Sequence, residues 1–209
     1  MRYLKPLGLA TVVVMGLTAF IGAGSASATV LCSTTADPCP AGQKWPANTS
    51  FDFSVLGGGL HVTDTAGEEV DACETSTMKG KITSAGSTTE TVTGPVEETT
   101  FGICTFPTSV LERGKLEVHR IAGTSNGTVT TDGTFRWTIN SIFFGSCIFG
   151  FTSGTSIGDI TEGNPAILHI NAVVEKFSGS NLACPTTQVM EGTYTLTSPA
   201  GTTLSVSGS

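Results

Sequence analysis

The sequence predicts an all-β fold, either an antiparallel β-sandwich or a barrel of roughly ten or more short strands, stabilised by disulfide bonds. Apolar residues alternate with polar ones in several segments, turn residues separate these segments, and no stretch sustains a helical period. All six cysteines follow the N-terminal apolar stretch. Period-two alternation with many β-branched residues is typical of half-buried strands.

Five segments show the alternation most clearly. In one of them Trp137 lies between polar neighbours, and the pattern turns its side chain inward. Turn residues such as Asn126-Gly127 separate the segments. The predicted strands are residues 51–56, 115–121, 133–140, 192–198 and 203–207.

The first 28 residues have the features of a secretory signal peptide. Arg2 and Lys5 supply a positive start, residues 7–21 are apolar, and a small-residue cleavage motif ends at Ala28. A retained membrane anchor is the alternative, but the apolar stretch is shorter than the roughly 20 residues that a membrane helix needs. We therefore expect cleavage after Ala28.

Cleavage would leave 181 residues in two parts. We expect residues 29–50 to form an N-terminal segment tied down by its own disulfide, and residues 51–209 to form a single all-β domain. No later apolar stretch is long enough for a membrane helix, so we expect no transmembrane segment after signal removal.

The charge of the mature chain restricts its partners. Loss of Arg2 and Lys5 leaves 8 basic residues against 17 acidic ones, a formal charge of −9. Such a chain repels phosphate backbones and anionic membrane surfaces, which argues against nucleic acid as a partner.

The cysteines indicate an oxidising compartment, outside the cell or in its envelope. An even count behind a signal peptide predicts three disulfide bonds, for which fifteen pairings exist. Cys32 with Cys39 is the pairing we predict, because the short loop between them contains Asp37-Pro38 turn chemistry. A lipid anchor on Cys32 is disfavoured because Leu31 is not small. The cysteines are Cys32, Cys39, Cys73, Cys104, Cys147 and Cys184.

Residues 141–151 hold four phenylalanines and two isoleucines around one cysteine. Both faces of a flat strand would be apolar here, and Gly145-Ser146 is expected to bend or bulge the chain. A strand with two apolar faces is either buried on both sides or covered on its second side by a loop that Cys147 holds in place. A surface patch for lipid or protein is the alternative. We favour the core, and the expected core or ligand lining is Trp137, Phe143, Phe144, Phe149 and Phe151.

Several patterns suggest chemistry, but each has a more ordinary interpretation. Residues 123–127 match the G-x-S-x-G motif of serine hydrolases, yet Asn126-Gly127 between two strands favours a hairpin turn. Acidic residues around Cys73 lack calcium-loop spacing and indicate a solvated loop. The histidines show no zinc-ligand spacing and are expected at polar or half-buried strand positions; they are His61, His119 and His169.

Carbohydrate chemistry has equally little support. No pair of carboxylates is singled out for glycoside hydrolysis. If Trp137 faces inward, Trp45 and Tyr194 remain as candidate exposed platforms for sugars. We therefore expect no catalytic residues, no cofactor and no metal.

The chain resembles a large paralogous group of secreted, cysteine-containing proteins of actinobacterial genomes. The resemblance rests on LCSTTADPCP after the signal, a lone cysteine at Cys73, SCIFG at residues 146–150, EGNPAIL, and the closing ACPTTQVMEGTYTLTSPAGTTLSVS. It spans most of the mature chain and implies secretion and a β-rich fold, but no activity. Members of the group often carry extra cysteines in the middle, which this chain lacks, so their disulfide pairing is not transferred.

Three functional hypotheses follow. We favour a secreted, non-catalytic module of the cell envelope or extracellular space that binds an unknown protein or cell-wall partner. A β-barrel that binds a small apolar ligand is the alternative, and it requires a pocket of several hundred Å³, as is typical of ligand sites. A secreted hydrolase is the second alternative, and it requires an acid, histidine or serine with a partner in a cleft.

Overall fold

A computed structural model of the protein describes residues 28–209. The predicted signal peptide, apart from Ala28, lies outside the described residues. The first strand begins at Val30, two residues after the predicted cleavage position. Within the described range, no helix is both long enough and apolar enough to cross a membrane.

Fourteen strands and one short 3-10 helix, Ala41–Gln43, form the regular structure of this range. The strands are β1 Val30–Cys32, β2 Ser50–Asp64, β3 Glu69–Lys81, β4 Ser84–Ala85, β5 Val92–Cys104, β6 Thr108–Glu112, β7 Lys115–Arg120, β8 Gly127–Asp132, β9 Phe135–Ser141, β10 Gly145–Phe151, β11 Ser156–Thr161, β12 Ile167–Lys176, β13 Thr187–Ser198 and β14 Ser205–Ser207. The all-β prediction is confirmed, and the five predicted strands correspond to β2, β7, β9, β13 and β14.

Eight antiparallel strands close into a barrel in the order β11-β8-β7-β5-β3-β2-β13-β12, and β12 pairs back to β11. Closure is a way to remove unpaired strand edges. The last ladder brings β11 so near to β12 that a Cβ at Gly158 would overlap the carbonyl oxygen of His169. Glycine is therefore required at this position.

Three further strands extend the sheet beyond the barrel. β10 pairs with the end of β12, where Phe149 lies opposite Lys176, β9 pairs with β10, and β6 pairs with β9. β12 therefore forks, since its residues 167–170 pair with β11 and its last residues pair with β10.

The long strands run between two ends of the molecule. At one end, which we call the tip, lie the connections β2–β3, β5–β6, β9–β10 and β12–β13. The opposite end, the base, holds the β7–β8 and β11–β12 connections and a small sheet in which β1 pairs with β14.

The N-terminal segment, residues 29–50, packs on the base. Its Leu31 and Trp45 belong to the main core, and the Trp45 amide donates to the Leu31 carbonyl. The Asp37 carboxylate accepts from the Gly208 amide and pairs with Arg120. The Gly208 hydrogen bond is the largest of the effects that hold the pKa of Asp37 below its ordinary value.

Three disulfides join neighbouring parts of this structure. The predicted Cys32–Cys39 bond is confirmed, and it closes the loop at the base. The pairings that the sequence left open are Cys73–Cys104, between β3 and β5, and Cys147–Cys184, between β10 and the β12–β13 connection.

Residues 141–151 form two elements and not one strand. β9 ends at Ser141, a turn follows, and β10 begins at Gly145, which has a φ of 75°. Phe149 and Phe151 lie in the core with Trp137, and half-buried Phe144 packs against it. The core prediction is wrong for Phe143, which is 73% exposed because it lies in the turn.

Candidate functional site

The most exposed large apolar side chains of residues 28–209 lie at the tip. Leu182, Ile142 and Phe143 are 95%, 85% and 73% exposed. We call these three residues the tip patch. Large exposed apolar groups that lie together mark interaction surfaces more often than isolated ones do.

The β9–β10 turn presents two members of the patch. The Phe143 amide donates to the Ser141 hydroxyl at 3.1 Å, which closes the turn. The Phe143 ring contacts Phe106 of the β5–β6 connection, with ring centroids 6.1 Å apart, and it contacts Phe144 at 6.4 Å. Phe143 is thus held in place by aromatic neighbours while most of its surface faces solvent.

The β12–β13 connection presents Leu182 and lies along β10. The Asn181 amide donates to the Ser146 carbonyl at 2.9 Å, and the Ile148 amide donates to the Ser180 hydroxyl at 2.8 Å. The disulfide between Cys147 and Cys184 fixes the same contact covalently. Of the two explanations considered for this apolar strand, the structure contains the loop held by Cys147, and this loop follows one edge of β10.

Asp71 fixes the third connection of the tip. Its side chain is 1% exposed, and its Oδ1 accepts from the amides of Ala72 and Phe106, each at 3.0 Å. Its Oδ2 accepts from the Thr108 hydroxyl at 2.8 Å. Burial is the main cause that raises the pKa of Asp71, and these hydrogen bonds oppose it. The Cys73–Cys104 disulfide lies beside this anchor.

The margin of the tip is mostly acidic. Glu68 of the β2–β3 connection and Glu69 at the start of β3 are exposed, and Asp64 accepts from the Ala66 and Glu68 amides. His61 Nδ1 lies 2.9 Å from Glu69 Oε2, and this hydrogen bond is the main cause that raises the pKa of His61. By contrast, the turn 142–144 and the connection 177–186 contain no charged residue.

The structure does not bring the histidines together. His61 pairs with Glu69 on β3, His119 Nε2 lies 3.0 Å from the Thr130 hydroxyl, and His169 Nδ1 lies 3.3 Å from the Thr193 hydroxyl. They lie on β2, β7 and β12, with separate partners in each case.

Two other candidate chemistries have structural explanations. Residues 121–126 connect antiparallel β7 and β8, and Gly127 begins β8, so the hairpin interpretation of the G-x-S-x-G match is confirmed. In the range 28–209, the one group of three residues close enough to hold a metal is Asp71, Cys73 and Cys104. Its cysteines are joined in a disulfide, so neither sulfur is a thiolate.

The predicted sugar platforms are wrong. Trp45 and Tyr194 are only 4% and 3% exposed. The Tyr194 hydroxyl lies 2.9 Å from the Ser76 hydroxyl inside the barrel, and burial raises the pKa of Tyr194 to about 12. Tyr194 lies on the same face of β13 as buried Met190 and Leu196, so the alternation of this strand directs its side chain inward.

Among residues 28–209, two apolar cavities each have a volume of about 50 Å³. The first is lined by Trp137, Phe151 and Tyr194, and the second by Trp45 and Phe53. A small-molecule site typically has a volume of roughly 300–1,000 Å³. These cavities are therefore too small to enclose such a ligand.

The sequence did not single out Ile142, Leu182 or Asp71. Ile142 belonged to an apolar run that favoured a core strand, and Leu182 is one apolar residue in a polar loop. Asp71 was one of several acids near Cys73. Only the pairing of strands shows that these positions meet at one end of the molecule.

No protein-family model matches the chain, and searches of curated proteins and of solved structures find no match. The resemblance to a secreted actinobacterial group stays a prediction.

Proposed function

We propose that this protein is a secreted, non-catalytic interaction module whose tip patch docks on a protein of the cell envelope or extracellular space. The observation that carries the proposal is the exposure of Ile142, Phe143 and Leu182 on uncharged loops. A disulfide and the buried Asp71 carboxylate hold these loops and the neighbouring connection in place. Ordered loops of this kind lose little conformational entropy on binding, which favours affinity.

The acidic margin specifies the chemistry of the partner. Glu68 and Glu69 lie at the same end as the patch, and the mature chain would carry a charge of −9. An anionic lipid surface would be repelled. The complementary partner is a protein with an apolar recess surrounded by basic side chains, because opposite charges steer association and suppress wrong partners.

Secretion is supported by the predicted signal peptide together with three disulfides, which persist in oxidising compartments. The non-catalytic part of the proposal is supported by the positions of the titratable groups. The three histidines lie on separate strands, and Asp71 accepts three hydrogen bonds that hold the tip connections.

Site-specific photo-crosslinking tests the proposal. A photoreactive amino acid replaces Phe143 in one sample and exposed Val173 of β12 in another, and each is mixed with cell-envelope extract. We expect one protein to crosslink at position 143 and not at position 173. That protein is then purified, and its affinity is measured with two matched variants.

The variant Phe143→Ser with Leu182→Ser removes two patch residues, whereas Leu56→Ser with Val173→Ser removes two exposed apolar residues elsewhere. We expect the first to weaken binding at least about thirtyfold, since a central apolar contact contributes roughly 2 kcal/mol or more. The second should leave affinity unchanged. Equal crosslinking at both positions, or equal affinity of both variants, would refute docking through the tip.

A further inference from the structure

One edge of β5 pairs with β3 along most of the strand, but the other edge has a partner only over its first residues. Val92 to Pro95 pair with β7, and the Val96 amide donates to the Gly114 carbonyl. Beyond this point the chain that precedes β7 departs, and as β6 it pairs with β9 instead. β5 and β6 are joined at the tip by their connection, and the chain after β6 meets β5 again at Val96 and Gly114, so the two strands are unpaired only between these points.

Two strand edges therefore face each other. Residues 98–101 of β5 pair with β3 alone, and residues 108–110 and 112 of β6 pair with β9 alone. Within residues 28–209, no ladder joins β5 to β6. We call the space between these two edges the β5–β6 seam.

The register of β6 shows which backbone groups face the seam. The Asn140 amide donates to the Pro107 carbonyl, and the ladder continues with Ser109 opposite Thr138. Backbone groups alternate in direction along an antiparallel strand. The amides and carbonyls of Thr108 and Val110 are consequently directed away from β9 and toward the seam.

The first cavity lies beneath the seam. Its lining includes Thr99 and Phe101 from β5 and Val110 and Glu112 from β6. The Thr99 hydroxyl is buried and has no hydrogen-bond partner in the described part of the chain. Half-exposed Arg136 also lines the cavity and donates to Glu112 Oε2 at 2.7 Å, so the lining extends to the surface.

We propose that the β5–β6 seam binds an extended segment of a partner protein as an added β-strand, with one small apolar side chain of that segment in the cavity beneath. A row of alternating amides and carbonyls is satisfied best by another extended backbone. The cavity of about 50 Å³ exceeds the ~10–15 Å³ that one water needs, but it is far smaller than a small-molecule site. A single aliphatic side chain carried by a strand fits this volume.

The charge at one end of the seam favours a segment with a basic residue there. Glu97 and Glu98 are exposed on β5, and Glu98 already pairs with Lys79 at 3.5 Å. The proposal goes beyond docking through the tip patch and does not depend on it, because its groups are the strand edges and the cavity.

A synthetic peptide with five alternating threonines and valines between two terminal lysines serves as the probe. Its control has the same sequence with alternate backbone nitrogens methylated, which prevents strand pairing. Binding to the mature protein is measured by fluorescence anisotropy, and the site is located by amide chemical-shift changes. We expect the control to bind at least tenfold more weakly, with the largest shifts in residues 97–101 and 108–112.

Two variants separate this proposal from the previous one. Phe143→Ser with Leu182→Ser should leave peptide affinity unchanged, while Val110→Trp should fill the cavity and lower affinity at least tenfold. The methylated control keeps the test valid even if Val110→Trp does not fold. Failure of the probe to bind at millimolar concentration, equal binding of both peptides, or shifts outside the seam would each overturn the proposal.

Discussion

Replacement of Asp71 tests whether a buried carboxylate holds the β5–β6 connection. Asp71→Ala removes the acceptor of the Ala72 and Phe106 amides and leaves both half-buried donors without this partner. An unsatisfied buried donor costs roughly 1–3 kcal/mol. The Thr108 hydroxyl keeps a second partner, the Phe106 carbonyl at 3.0 Å, so its loss is smaller. We expect the free energy of unfolding to fall by about 2–4 kcal/mol.

Asp71→Asn should be far less costly at pH 7, because an amide oxygen can still accept from both backbone donors. The pH dependence distinguishes the two states of the carboxyl. Burial raises the pKa of Asp71 in the folded protein above 3.8, so the folded state binds the proton more tightly than the unfolded state. This group's contribution to stability is therefore largest below 3.8 and declines as the pH rises through the folded-state pKa.

Urea denaturation with intact disulfides, followed from pH 3 to pH 8, measures both effects. We expect wild type to lose stability relative to Asp71→Asn as the pH rises. Exposed Asp159, for which an Ala replacement should change stability by no more than about 0.5 kcal/mol, is the control. Equal losses for Asp71→Ala and Asp71→Asn at pH 7 would refute the anchoring role. A stability difference between wild type and Asp71→Asn that does not change with pH would contradict the raised pKa of Asp71.

Three further predictions concern stability and titration. Replacing both cysteines of Cys147–Cys184 by Ser should lower the free energy of unfolding by about 3–4 kcal/mol, and the same change in Cys32–Cys39 by about 2–3 kcal/mol, because the closed loops span 37 and 7 residues. Urea midpoints of the two variants test this order. A larger loss for the Cys32–Cys39 variant would contradict it. Phe149→Ala should cost about 3–5 kcal/mol because the side chain is fully buried, whereas Ile142→Ala should cost less than about 0.5 kcal/mol in the same assay. Tyr194, the single tyrosine after residue 28, should ionise near pH 12 in a 295 nm absorbance titration; a midpoint near pH 10 in folded protein would contradict its burial.

Local patterns were sufficient to predict the class of fold. Period-two alternation located β9 and placed Trp137 inside, because a half-buried strand repeats every two residues. The short loop between Cys32 and Cys39 predicted their disulfide, since few residues separate them. The other two disulfides join residues 31 and 37 positions apart, and their pairing depends on which strands become neighbours.

The candidate site depends on the same non-local information. Ile142 and Phe143 continue an apolar run, and composition alone assigns such a run to the core. They are exposed because a turn closes at Ser141 and Gly145 and interrupts the strand. The seam is still less predictable, because β6 pairs with β9 and not with its sequence neighbour β5.

The arrangement of tip and base has a mechanical consequence. A strand of twelve residues such as β13 spans about 40 Å, at ~3.3 Å per residue, between the two ends. If a partner holds the tip and any attachment holds the base, tension runs along the strands. Many ladder hydrogen bonds are then loaded together in shear. If both attachments were at the same end, the force would break these hydrogen bonds one after another. Forced unfolding is governed by the rate of unfolding. We expect the molecule to resist tension most strongly when the force is directed along its strands, from tip to base.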